Sequence, residues 1–236
     1  MGNKNMLKKN QFDQIIGFPV EHWSARPLPP KKVIPGNYCR LEPLNMAQHG
    51  EQLFEAFQLN NPGDTWTYLP YGPFATYPEF KQWLAMADAH QFFYTIIETE
   101  TQTPQGIARY HKVDPEHGVI EVGSIHYSKA LQKSRAATEA MYLMMQFAFD
   151  ELGYRCYKWR CNALNQGSRK AAERLGFQFE GIARQGYVFK GYNRDNAWYS
   201  IIDSEWPALK AKFLKWLSPD NFDVSGNQIL RLQAAY

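Results

Sequence analysis

The sequence predicts a mixed α+β domain: a central, mostly antiparallel sheet flanked by helices. Three observations carry this. Between residues 92 and 128 the apolar period is that of strands joined by short turns. Before that stretch two segments repeat at helical spacing. After it, helical and strand-like segments alternate to residue 202 and a last helical segment follows.

The elements follow in order. Residues 17–37, GFPVEHWSARPLPPKKVIPGN, hold five prolines and no consistent period, so they predict an extended strap. Its Phe18, Val20 and Trp23 are expected to pack on the body. YCRLEPL (38–44) alternates as a first strand, and AQHGEQLFEAFQ (47–58) sets Leu53, Phe54 and Phe57 at helical spacing. A loop rich in Pro, Gly and aromatics leads to a second helix near 77–89. FFYTIIET (92–99), GIARYHKV (106–113) and VIEVGSIHYS (119–128) form a meander of three strands.

A long helix then runs to Gly153, a fitting residue just past a helix end. YRCYKWRCN (154–162) is a strand, NQGSRKAAERLGF (165–177) a helix stopping at Gly176, and strands near 179–189 and 195–202 follow. SEWPALKAKFLKWL (204–217) closes the order, with Trp206, Leu209, Phe213 and Leu217 on one helical face. We expect a basic, proline-rich extension over 1–36, a domain over 37–203, and a C-terminal helix and tail, 204–236, packed on it.

Composition narrows the function. With 236 residues, 44% hydrophobic and 21% charged, the chain is long enough for one large core. The net charge of +3 is uneven: residues 1–37 hold Lys4, Lys8, Lys9, Arg26, Lys31 and Lys32 against Asp13 and Glu21, a net +4, so the rest carries about −1. A nearly neutral body lacks the basic surface that nucleic-acid affinity needs, so no direct nucleic-acid binding is expected. The basic tail reads as a solvated segment, with contact to RNA, a ribosome or a membrane as the other reading.

Cys39, Cys156 and Cys161 form no C-x-x-C pair, which argues against a disulfide framework or a zinc site, and no metal is expected. MGNKNMLKKN has no apolar signal core, and Met6 breaks the myristoylation pattern. No apolar run approaches the ~18 residues of a membrane span, so the expected address is the cytoplasm. A homodimer is compatible with all of this.

The segment LQKSRAATEAMYLMMQFAF (131–149) makes an unusual demand. With Ser134 as N-cap, a capping box wants Glu or Gln at 137, where Ala137 stands. The first helical amides are expected to lack side-chain partners and to face an anion, with the small alanines allowing close approach. A solvated helix start accounts for the same residues.

Gln132-Lys133-Ser134-Arg135-Ala136-Ala137 resembles the acetyl-CoA pyrophosphate loop of the GNAT acetyltransferases, in the Ala-rich form of the RimJ/RimL-like branch. VIEVGSIHYS is similar to that family's splayed fourth strand, NALNQGSRKAAERLGFQFEG to its N-x-x-S helix with L-G-F and E-G, and NRDNAWYSIID to its closing strand. Together these cover about residues 36–203 in the family's order. The resemblance implies the GNAT acyl-CoA N-acyltransferase fold with a splayed sheet. It also implies acetyl-CoA as cofactor, CoA as product and an amine acceptor, foremost a protein N-terminus. A small-molecule amine and a non-catalytic acyl-CoA sensor are the alternatives.

Arg135 stands where the loop motif has Gly. In the right-handed first turn it is unstrained and its guanidinium can reach a phosphate; at positive φ it would be strained. The implied chemistry is attack of an amine on a thioester, which needs a base, a donor to the thioester oxygen and a donor to the thiolate. Main-chain groups of Ile125, His126 and Tyr127 are implied to serve the oxygen and the pantetheine arm. Asn165 is implied to bind CoA and Ser168 the thiolate, although Asn165 is also a good N-cap.

For the base we place Glu121 ahead of Tyr187 and His126. Alternation puts Glu121 on one face with Gly123, Ile125 and Tyr127, and His126 on the other. Tyr187 occupies the position where some RimL-like enzymes carry a Glu, and is at most a proton donor or a wall. In the 65–74 loop Trp66, Tyr68, Tyr71 and Phe74 either wall the acceptor pocket or staple the loop to the core. Only Asp64 and Glu79 lie near that loop in sequence, so a strongly cationic acceptor is not signalled.

Overall fold

The computed structural model describes residues 7–60, 63–89 and 92–232. Lys4 and Met6 of the basic start, Asn61 and Pro62 of the aromatic loop, and the last four residues of the tail lie outside the described residues.

The order is β1 (Cys39–Pro43), α1 (Met46–Gln58), α2 (Tyr77–Ala89), β2 (Phe93–Glu98), β3 (Pro104–Asp114), β4 (Val119–Tyr127), α3 (Arg135–Gln146), β5 (Cys156–Asn162), α4 (Gln166–Arg174), β6 (Gln178–Phe189), β7 (Tyr192–Ile202) and α5 (Trp206–Leu217). The strands lie β1-β2-β3-β4-β5-β7-β6, with Ile34–Pro35 paired outside β1. Every pairing is antiparallel except β4 with β5. This is the mixed α+β architecture with a mostly antiparallel sheet that the periodicity predicts.

One face of the sheet carries α1 and α2. Asn45 caps α1 by accepting from the Ala47 and Gln48 amides, and Leu53 and Phe57 turn inward. They meet Phe80 and Leu84 of α2, Phe93 of β2 and Ile107 of β3 in a compact apolar cluster. The other face carries α3, where Ala140, Met141, Met144 and Met145 are buried almost completely. Burying each of the three methionines contributes about 1.5–3 kcal/mol. Past Gln146 the helix widens into one π turn, and Gly153 at φ 70° ends it. On the same face α5 stacks Trp206 and Phe213 on Tyr142.

A single carboxylate ties the first strand to α3. Glu139 is buried and accepts from the amides of Asn37 at 2.9 Å, Tyr38 at 2.6 Å and Cys39 at 2.8 Å. These would be orphaned donors at a strand entry, each costly to bury unpaired.

The strap lies on the domain, but through one of the three residues expected. Phe18 and Val20 are exposed. Trp23 is the anchor: its indole donates to the Glu116 carbonyl at 2.7 Å, its ring packs on Gly118, and Arg26 stacks on it. Tyr154 and Tyr94 then donate to the carbonyls of Pro27 and Pro30. Proline fixes the extended path and leaves its carbonyls free to accept, so neighbouring hydroxyls hold the strap where apolar side chains do not.

Candidate active site

The site is made by a strand pair that begins and then stops. β4 and β5 pair in parallel from Val119–Cys156 to Val122–Trp159 and no further. The cause is in β4: Arg109 of β3 faces Gly123, yet Ile107 faces His126, so two residues of β3 oppose three of β4. The extra residue is accommodated at Ser124, whose φ is 50°. A bulge of this kind bends its strand, and here β4 leaves β5. Alternate main-chain groups of Gly123–Tyr127 that point away from β3 therefore meet no strand.

The bulge also overturns the expected faces. β3 alternates without interruption from Gly106 to His111, so Ile107, Arg109 and His111 share one face, and their partners His126, Gly123 and Glu121 share it too. Ile125 and Tyr127 pack with the α3 core instead. Glu121 thus shares its face with His126, not with Ile125 and Tyr127, because one inserted residue flips everything beyond it.

At the helix start the expected bare amides are only partly bare. Ser134 is the N-cap, and its Oγ accepts from the Ala137 amide at 3.0 Å. The Gln132 and Ser134 amides bond to Ser128 and Leu131, and the Gln132 side chain donates back to the Tyr127 carbonyl. The amides of Lys133, Arg135 and Ala136 have no partner among the described residues. Arg135 is the first helical residue and is not at positive φ; Lys133, at φ 63°, takes the turn. The Arg135 guanidinium lies between the Tyr38 and Phe222 rings at 4.8 and 4.5 Å.

The far wall of the split comes from β5 and α4. Asn165 caps α4 by accepting from the Ser168 amide at 3.0 Å, and Ser168 Oγ accepts from the Trp159 indole at 3.0 Å. That bond uses an oxygen lone pair, so the Ser168 hydroxyl keeps its hydrogen as a donor, with the Cys161 sulfur as its neighbour in the resting site. Cys161 lies beside it, its thiol pushed up by burial.

Glu121 is buried, with Arg160 Nη2 at 3.1 Å and His111 Nδ1 at 3.3 Å. Arg160 also donates to the Tyr187 hydroxyl at 2.6 Å, which lowers the phenol's pKa. Glu121 and Tyr187 are thus joined through one guanidinium. His126 does not line the cavity: it is buried, stacks on Trp66 at 3.6 Å, and burial lowers its pKa to about 3.

The aromatic loop divides. Trp66 belongs to the core under α1 and α2, and Phe74 packs on Trp66, Phe80 and Trp83, so neither walls the pocket as expected. Tyr68 and Tyr71 do line it. The loop is strapped over the cleft: Tyr68 donates to the Leu164 carbonyl, Arg194 to the Tyr68 carbonyl, and Lys190 to the carbonyls of Trp66 and Gly72.

The resulting cavity holds about 550 Å³ and runs from Ser168 and Asn165, past the β4–β5 split, to Tyr71 and Arg109. Its walls carry three guanidiniums, those of Arg109, Arg160 and Arg194, against one carboxylate, that of Glu121. Sequence reasoning missed these arginines and His111. The alternation Ile107, Arg109, His111 carried a signal, since polar residues stood on one face of a strand otherwise fit for a core. No group of three or more His, Cys, Asp or Glu converges as a metal site among the described residues, and no helix there is long and apolar enough to cross a membrane.

With this geometry in view, the chain can be set beside known proteins. The model of the acetyltransferase (GNAT) domain matches residues 40–178. A GCN5-related N-acetyltransferase structure from Brucella melitensis is 45% identical, covers 92% of this chain and 99% of its own, and superposes with a TM-score of 0.90. A GNAT-family structure from Chromobacterium violaceum is 38% identical over 80% of this chain and 95% of its own, with a TM-score of 0.74. The Bacillus subtilis protein YdaF, provisionally named a ribosomal N-acetyltransferase, is 30% identical over 105 residues. That match spans 44% of this chain and 57% of YdaF, little more than half of the relative.

Proposed function

The chain belongs to the GNAT acetyltransferase family, and from that premise we propose that it transfers the acetyl group of acetyl-CoA to a primary amine, with a protein N-terminus as the leading acceptor. The carrying observation is the β4–β5 split, which ends on the Ser168 hydroxyl and opens at the unpartnered amides of the α3 start. The RimJ/RimL-like reading leans on the likeness to YdaF. Action in the cytoplasm agrees with three unpaired cysteines.

The residues present suit the cofactor. The amides of Lys133, Arg135 and Ala136 would hold its pyrophosphate, aided by the helix dipole. Main-chain groups of Gly123–Tyr127 facing the split would take its pantetheine arm as a strand edge takes a peptide, with Asn165 alongside. When bound, acetyl-CoA supplies an activated acyl thioester.

The other roles fall to the chain itself. A β4 amide turned into the split would donate to the carbonyl oxygen, and Ser168 would donate its hydroxyl hydrogen to the sulfur. Glu121, fixed by Arg160 and adjoining His111, would accept the ammonium proton. Tyr187, exposed and outside the lining of the cavity, would hold Arg160 in place against Glu121.

Acetyl-CoA at about 1 mM should raise the melting temperature, and Ser168→Ala should lower kcat about tenfold or more with the KM for acetyl-CoA little changed. No thermal shift at that concentration would sink this reading. One observation favours a small-molecule amine as second reading: the 65–72 loop is bonded across the cleft to Leu164, Lys190 and Arg194, which narrows the way in for a chain. Competition of Ser- or Ala-initiated peptides against a panel of small amines decides between the two. Tight acetyl-CoA binding with no turnover on either panel would point to a sensor.

A further inference from the structure

The three arginines of the cavity are not equivalent. Arg160 is satisfied by Glu121 and Tyr187, and Arg194 donates from Nε to Asn196 and from Nη1 to the Tyr68 carbonyl. The Arg109 side chain makes no hydrogen bond with any described residue. Its guanidinium lies over the Phe93 ring at 5.0 Å, and its Nε is buried without an acceptor. Burial is the main influence on it and lowers its pKa, with the Tyr71 hydroxyl and the Glu121 carboxylate acting the other way but making no hydrogen bond to it.

Two further polar atoms are orphaned on the same side. The Tyr71 hydroxyl is buried beside Ser124 and has no hydrogen bond of good geometry. Burial raises its pKa, so at neutral pH it remains a proton donor. His111 Nδ1 is also buried without a bond and faces Glu121. Unpaired buried polar groups are rare in folded proteins and costly, and here they converge on the part of the cavity beyond Glu121 as seen from Ser168.

Building on the acetyltransferase reading, we propose that the acceptor is an amine that also bears a carboxylate, which the Arg109 guanidinium binds with the Tyr71 hydroxyl as second donor while the amine turns toward Glu121. A carboxylate fits because one guanidinium and one phenol match a single negative charge, and the planar fork suits two oxygens. The second charge of a phosphate would lie unpaired in a wall that already holds Glu121. A free amino acid supplies this chemistry, and so does an acidic side chain near a protein N-terminus.

The test compares acceptors with and without that charge, with rates expressed per unit of free amine so that differences in amine basicity do not enter. Free amino acids are set against their carboxamides, and Ser-Glu peptides against Ser-Gln peptides. In the wild type kcat/KM should favour the carboxylate partner at least about tenfold in one pair, and that pair identifies the source. Arg109→Gln should bring the ratio to within about twofold of unity, and Arg109→Lys should recover part of it. Equal turnover of both partners in both pairs, or a preference that survives in Arg109→Gln, overturns the proposal and leaves acetyl transfer standing. Calorimetric titration of the same pairs in the presence of CoA reads the inference without turnover. Tighter binding of the carboxylate partner with no acetyl transfer would uphold the carboxylate site and reject the catalytic reading; equal binding would reject the carboxylate site.

Discussion

The Glu121–Arg160 pair permits a quantitative test. Its side chains are 6% and 10% exposed and the nitrogen and oxygen stand 3.1 Å apart. At an effective dielectric constant of about 20 the gross attraction is roughly 5 kcal/mol. Desolvating both ions consumes much of that, so the intact pair adds little to stability. Breaking it is another matter. Arg160→Met keeps the unbranched apolar stem but leaves a buried carboxylate without its counter-ion, which should cost about 3–5 kcal/mol. Glu121→Gln should cost less, because Arg160 keeps its bond to Tyr187 and its stack on Trp198 at 5.1 Å. In the double variant no buried charge is orphaned by its partner, and the loss should fall short of the sum of the singles by about 2–3 kcal/mol. The lost contacts with Tyr187 and Trp198 occur on both legs of the cycle and cancel. Urea unfolding of the four proteins at pH 7 reads the coupling, with unchanged m-values as the control. Additivity within about 0.5 kcal/mol would refute the view that these two side chains are one electrostatic unit.

Two other sites carry stability predictions. Glu139→Gln replaces an oxygen that accepts from buried amides with a donor, and should cost about 2–3 kcal/mol, a fall in melting temperature of roughly 4–12 °C. A loss below about 1 kcal/mol would mean that the strand entry is held by other contacts. For His126 the folded pKa of about 3 lies below the ordinary value near 6.5, so between those limits the unfolded chain binds the extra proton. Its neutral form therefore costs nothing above about pH 6.5, and stability is lost as pH falls, by about 1.4 kcal/mol per unit. From pH 6 to 4.5 the wild type should lose about 2 kcal/mol more than His126→Phe; parallel losses would exclude His126 as the source.

What the sequence revealed, and what it hid, follows from the range of the interactions. The long helix of Met141, Met144 and Met145, its end at Gly153, and the N-cap roles of Ser134 and Asn165 are local, set by spacing and by residues within one turn. The meander is local for the same reason. Trp66 was ambiguous because an aromatic in a Pro/Gly loop packs equally well toward a ligand or toward Phe57, and only the fold put the ring of His126 3.6 Å beneath it. Arg109 and Arg160 lie 51 positions apart, on strands that flank β4, and their convergence depends on a strand order that pattern alone does not dictate. Glu139 was missed because an acidic residue inside a helix reads as a solvated face until the strand entry at Asn37–Cys39 is found above it.

The largest misreading, the faces of β4, has the most consequence for function. Strict alternation places Glu121 with Ile125 and Tyr127, and no residue type in VIEVGSIHYS forbids it. The inserted residue at Ser124 does two things at once. It sends Ile125 and Tyr127 into the α3 core, and it turns His126 under Trp66 to anchor the acceptor-side loop. The same bend opens the split from β5 and leaves main-chain groups of β4 without a strand. In the proposed reading, what β4 would offer to a cofactor is therefore backbone, which any side chain can accompany, while what it would offer to an acceptor is the one carboxylate before the bulge. Side-chain chemistry in the sequence could point to Glu121, but the opening that gives it work is a property of register.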